Sequence, residues 1–100
     1  MINKQQHLLA CLAEECAEVI VEVNKGLRFG LGDHHPSDPS KNNAQRIAHE
    51  MQHVIAVYEM LVVDNGLPSN WSHVNRRIDK QERVTRFMAY AREEGKLSDE

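Results

Sequence analysis

From about Asn3 to Phe29, the apolar residues Leu9, Leu12, Cys16, Val19, Val23 and Leu27 recur at steps of three and four, and Leu8 and Ile20 widen the stripe. That spacing follows the 3.6-residue period of an amphipathic helix and predicts one long helix with its stripe turned to a core. Gly30 and Gly32, then Pro36 and Pro39, end it and predict a mobile connection. Ser40, Asn42 or Asn43 is placed to cap a second helix running to about Asp64, with Ile47, Met51, Val54, Val57, Tyr58, Leu61 and Val62 at helical spacing. Asp64-Asn65-Gly66 closes that helix, and a turn containing Pro68 follows. From Trp71 to Glu94 the apolar residues form two groups, Trp71/Val74/Ile78 and Val84/Phe87/Met88/Ala91, whose faces do not align. A bend or break is therefore expected near Lys80.

No segment alternates in the manner of a half-buried strand, so the expected fold class is all-α, with three to four amphipathic helices. One hundred residues make one domain, 1–100, with a frayed tail over about 95–100. A bundle this small buries little core by itself. Pairing with further copies is the expected remedy, giving a homodimer or a dimer of dimers.

Composition narrows the partners. With 27% charged residues, 41% apolar residues and a net charge of −3, the chain has no positive excess for gripping a nucleic acid polymer. No apolar run approaches the roughly 20 residues that span a bilayer, and the start, MINKQQHLLACLAEE, lacks the core and cleavage site of a signal peptide. A cytoplasmic protein with no membrane contact is expected. Cys11 and Cys16, five apart on a helix, point away from each other and read as reduced packing groups.

The chemistry lies in the carboxylates. EECAE supplies Glu14, Glu15 and Glu18, and Glu22 continues the series one turn later. At 100° per residue, Glu15, Glu18 and Glu22 fall within roughly 60° of one another. Like charges so placed repel, so the cluster is either a solvated acidic face or the bed of a cation. On the second helix, Glu50 falls inside the apolar stripe between Val57 and Leu61, where a carboxylate needs a partner. His53 lies about 60° from Glu50, within reach of the same ion, and His49 is turned further toward solvent.

His49 to His53 spells HEMQH, the HExxH pattern of zinc peptidases. That site needs both imidazoles turned inward and a third protein ligand, and the sequence after His53 lacks the Gly and His spacing of the extended motif. The pattern reads as a coincidence.

LAEECAEVIVEVNKGLRFG and RIAHEMQHVIAVYEML together resemble the MazG-like, all-α nucleoside triphosphate pyrophosphohydrolases, whose signature is EExxE on one helix and ExxD on the next. KQERVTRFMAY is similar to their C-terminal helix. The first half of the signature is intact, whereas the second ends in His53 where the family has Asp. The resemblance implies a dimerising helical bundle that hydrolyses nucleoside triphosphates to monophosphate and pyrophosphate with Mg²⁺. It implies Glu15, Glu18 and Glu50 as metal ligands, with His53 as the fourth. Glu14 would be a ligand or a base orienting the water, so that Glu14 and Glu15 count as catalytic. Because imidazole suits Mn²⁺ better than Mg²⁺, His53 opens the site to Mn²⁺ or another divalent ion.

Lys25, Arg28 and Lys80 are the basic residues proposed to bind the phosphates, with Arg83 beside Lys80; their alternatives are a helix C-terminus for the first two and a solvated face for the others. Trp71 and Tyr58 are core aromatics or a stacking surface for a base. His34 and His35 read as solvated loop residues. A relative that binds nucleotide or metal without turnover, and a purely structural helical dimer, are the alternatives to the enzyme.

Overall fold

The first helix, α1, spans Lys4–Phe29 and starts at a capping box. The Asn3 side chain accepts from the Gln6 amide at 2.8 Å, and the Gln6 side chain accepts from the Asn3 amide at 2.9 Å. It ends at Gly30, whose φ of 94° suits glycine and whose N–H donates to Gly26. The second helix, α2, spans Asn43–Val63. Of the three candidate caps, Asn42 is used, in a reciprocal box with Gln45. These are residues of a computed structural model that describes residues 1–69 and 74–100, in two units, Met1–Pro68 and Ser69–Glu100.

In the first unit α1 and α2 pack against each other, with Leu8 and the fully enclosed Leu61 between them. The face that α1 turns inward is one edge of the stripe that its apolar spacing nominated, the edge of Leu8, Leu12 and Val19. The more buried row is Leu8, Leu12, Glu15, Val19, Glu22 and Gly26. Leu9, Cys16, Ile20, Val23 and Leu27 lie about 90° further round the helix and are exposed, Leu27 at 78%. The physical reason is close approach: at Gly26 an added Cβ would stand 3.1 Å from Leu31 and 3.4 Å from Ile47, so a side chain there would press on both neighbours. On α2 the expected row holds better, because Ile47, Val54, Val57 and Leu61 are all at least half-buried.

The connection between the helices, where no strand was expected, is a small antiparallel hairpin. Strand β1 is His34–His35 and β2 is Asp38–Asn42, with His34 opposite Asn42 and His35 opposite Asp38 around an irregular step. Apolar alternation gives no hint of it, because the hairpin is held by polar groups and Pro39 is tolerated on an edge. Its base is tied to α2. The Asn43 amide donates to the Asp33 carbonyl at 2.8 Å, the Ala44 amide to the Leu31 carbonyl at 3.0 Å, and the buried Asn43 side chain to the Gly30 carbonyl at 2.8 Å. Helical N–H groups that would otherwise lack partners thereby hold the loop. Arg46 adds a 2.8 Å ion pair to Asp38. Hydrogen bonds from Ser40, with the Arg46 guanidinium, hold the Asp38 carboxyl below its ordinary range, although desolvation pushes the other way.

In the second unit, α3 runs unbroken over Val74–Glu93. The bend expected near Lys80 is not there: the stretch contains no proline or glycine. Its apolar residues Val74, Ile78, Val84, Phe87 and Met88 are all exposed, so no buried face obliges them to stay in phase. At the far end Gly95, with φ 72°, makes a Schellman closure in which Gly95 N–H donates to Arg92 and Lys96 N–H to Ala91. Trp71 lies outside the described residues. The chain is thus mostly helical, with three helices among the described residues, and none of them is long and apolar enough to cross a membrane.

Candidate metal centre

Where the inner rows of α1 and α2 meet, two carboxylates and an imidazole converge. His53 Nδ1 stands 3.1 Å from a Glu50 oxygen and 3.5 Å from a Glu15 oxygen. Ligand atoms of Glu15, Glu50 and His53 all lie within 4.8 Å of one another. Mg²⁺ sits about 2.0 to 2.1 Å from its donors and Zn²⁺ about 2.0 to 2.2 Å, so two donors sharing such an ion are at most about 4.2 to 4.4 Å apart. A contraction of a few tenths of an ångström brings this group to that spacing, and its donors therefore fit a divalent cation. One nitrogen beside two carboxylates suits Mn²⁺ or another nitrogen-accepting ion better than Mg²⁺.

The helices explain who takes part. Glu15 belongs to the inner row of α1, and Glu50 is the polar member of the row Ile47, Glu50, Val54, Val57, Leu61, so each is half-buried. Glu18 lies about 60° and Glu14 about 100° from Glu15 around α1. Both are exposed and outside the three-residue group. His49 is exposed as expected, yet its ring packs edge-on against His53, with centroids 4.8 Å apart. It supplies no atom to the group, which distinguishes this arrangement from the paired imidazoles of an HExxH zinc site.

A cavity of about 230 Å³ opens beside the cluster, lined by Glu22, Lys41, Arg46, His49, Glu50 and His53. Glu22 is only 8% exposed. One of its oxygens accepts from Lys25 at 3.4 Å, and the other is buried with no protein partner. Arg46 Nε is buried in the same condition. Buried polar atoms of this kind are uncommon, and a water molecule, an ion or a ligand group would satisfy them. Glu22 belongs to the acidic cluster expected from helical spacing but not to the ligands that the resemblance implies, and Arg46 belongs to neither. For Glu22 the signal was present: it stands seven residues after Glu15, hence on the same face.

Arg46 also lines a second cavity, of about 610 Å³, where Lys25, Arg28, Phe29, His34 and His35 form much of the wall. Two of the expected phosphate-binding residues, Lys25 and Arg28, are thus brought together with a third cation. Lys80 and Arg83 lie on α3 in the other unit, exposed, in a group with Arg76, Asp79, Glu82 and Arg86.

Set beside known proteins, the chain matches no family model, no curated protein and no solved structure. Its residues alone carry the functional reading.

Proposed function

We propose that the protein is a divalent-metal-dependent nucleoside triphosphate pyrophosphohydrolase, as the resemblance to the MazG-like enzymes implies. The observation that carries this reading is the convergence of Glu15, Glu50 and His53 beside cavities lined by Lys25, Arg28, Lys41 and Arg46. An acidic group to hold a cation and basic groups to hold an anion, side by side, match the two halves of a metal–polyphosphate complex. When bound, the ion neutralises phosphate charge and lowers the pKa of a water molecule so that it can attack. Glu15, Glu50 and His53 would hold the ion. Arg46, which lines both cavities and keeps its Nε unpaired, is placed to donate to a phosphate oxygen between them, and Lys25 and Arg28 take the rest of the chain's negative charge. Glu14 and Glu18 take no part in this assignment.

The test is incubation with a panel of NTPs and dNTPs under Mg²⁺ and under Mn²⁺, with products read by phosphorus NMR. Monophosphate plus pyrophosphate is expected. Free phosphate, or no product with either ion, would overturn the reading.

A second reading is favoured by the position of His53, whose Nδ1 stands 3.1 Å from Glu50 on its own helix and 3.5 Å from Glu15 across on α1. An imidazole N–H bridging two carboxylates holds the helices together without any ion, as in a non-catalytic relative or a structural dimer. Substitution at Glu50 separates the two readings, as described below.

We further propose that two copies associate. Among the described residues only Leu8 and Leu61 are buried hydrophobics, and Ile20, Val23 and Leu27 form an exposed apolar row along α1. That is too little core for a stable monomer, and the row gives a second copy a surface to cover. Light scattering is expected to give a mass of at least twice 11.5 kDa at micromolar concentration. A folded, monodisperse monomer would refute it.

A further inference from the structure

The larger cavity has a wall that phosphate groups do not need. Beside the cations Lys25, Arg28 and Arg46 stand the Phe29 ring and Pro36, and the hairpin brings the imidazoles of His34 and His35 to the same space. Phe29 is exposed, and the Arg28 guanidinium lies over its ring at 5.1 Å, so a cation–aromatic pair forms part of the lining. The two imidazoles are held in opposite tautomers by their neighbours. His34 Nδ1 faces the His35 carbonyl at 3.1 Å and must donate to it, which leaves its Nε2 as an acceptor when the ring is neutral. His35 Nδ1 accepts from the Ser37 amide at 3.0 Å, which puts the proton on Nε2 and makes that atom a donor. Asp33, the acid in the lining, already accepts from the His34 amide at 2.9 Å. A cavity of about 610 Å³ falls within the usual range for small ligands, roughly 300 to 1,000 Å³.

We propose that this cavity takes a nucleobase: Phe29 and Arg28 provide the stacking surface, and His34 and His35 present one acceptor and one donor to the ring's polar edge. This rests on the reading of the protein as a nucleotide-binding one and deepens it, by assigning base recognition to the hairpin and the end of α1. Phe29, His34 and His35 thereby become specificity-determining residues, with the phosphates directed toward Arg46 and the acidic cluster. A stacked base contributes enough that its loss weakens binding by about tenfold or more.

The experiment compares hydrolysis-resistant α,β-methylene analogues of ATP, GTP, CTP and UTP with inorganic tripolyphosphate. Each is titrated by calorimetry, with Mn²⁺ present, into the whole wild-type chain, Phe29→Ala and His35→Ala. Phe29→Ala is expected to weaken the analogues by about tenfold and to leave tripolyphosphate unchanged. His35→Ala is expected to change the ranking of the four bases. Because Phe29 is exposed, its loss leaves the fold intact, which a circular dichroism melt verifies. Equal weakening of analogues and tripolyphosphate, wild-type binding of tripolyphosphate as tight as that of the analogues, or no binding of any analogue would overturn the proposal. Base-dependent binding without turnover would uphold this site and sink the pyrophosphohydrolase reading; turnover with no effect of Phe29→Ala would do the reverse.

Discussion

Glu50→Gln is expected to abolish the stabilisation of the protein by Mn²⁺ and to lower metal-dependent turnover by at least about 100-fold. The substitution keeps the shape of the side chain and removes the charge that a divalent ion needs. Loss of a supporting group around a metal typically costs about 10- to 100-fold, and a direct ligand costs no less. An ion present at 100 times its dissociation constant stabilises the fold by about 2.7 kcal/mol, and that increment is what the variant should lose. Without metal, the variant should melt at or above the wild-type temperature, because a half-buried carboxylate facing Glu15 has become neutral. The bridging reading requires the opposite. If His53 Nδ1, 3.1 Å from Glu50 and 3.5 Å from Glu15, ties the two carboxylates together, Glu50→Gln weakens the tie and the melting temperature falls equally with and without metal. Thermal melts of both proteins, each with and without Mn²⁺, decide between them.

His53→Asp is expected to shift ion preference from Mn²⁺ toward Mg²⁺ and to raise Mg²⁺ affinity or Mg²⁺-dependent turnover by about tenfold, equivalent to about 1.4 kcal/mol. Asp supplies an oxygen donor where the wild type has nitrogen, and a set of carboxylates suits a hard ion. The same change restores the ExxD form of the motif. Wild-type Mn²⁺ affinity should fall on acidification, since a protonated imidazole cannot ligate, and His53→Asp should flatten that dependence near neutrality. His49→Ala is the control. His49 contributes no atom to the cluster and touches it only through the edge of the His53 ring, so its loss should change affinity by no more than about threefold, under 1 kcal/mol. Calorimetric titration of both ions into the three proteins checks all of this. Loss of binding in His49→Ala would mean that the two imidazoles act together, as in a zinc site.

Both predictions depend on positions that were legible along the chain to different degrees. Glu50 was legible because it interrupts an apolar row on a helix whose other members are Ile47, Val54, Val57 and Leu61. His53 followed from it by one helical step. Glu22 was harder. It sits in an acidic run that reads as a solvated face, and only the packing of α1 shows that it is nine-tenths buried while Glu14 and Glu18 are exposed. Arg46 carried no signal at all, because a single arginine near a helix start is ordinary, and its position between two cavities depends on where the hairpin folds back.

Periodicity by itself determined that the chain makes long helices, where they start and stop to within a few residues, and that Glu50 and His53 share a side of one of them. Those features are local: a 3.6-residue repeat, a capping asparagine and a helix-ending glycine act within a turn or two of chain. The tertiary structure decided which side of α1 is the inner one. The stripe that spacing nominated spans two sides about 90° apart, Leu9, Cys16, Ile20, Val23 and Leu27 on one and Leu8, Leu12 and Val19 on the other. Packing against α2 selected the other row because Gly26 lets Ile47 and Leu31 come close, and that choice carried Glu15 and Glu22 inward. It also decided the form of the connection. The hairpin exists because the first amides of α2 find carbonyl partners in Leu31 and Asp33, contacts ten or more residues apart in sequence that no local pattern encodes.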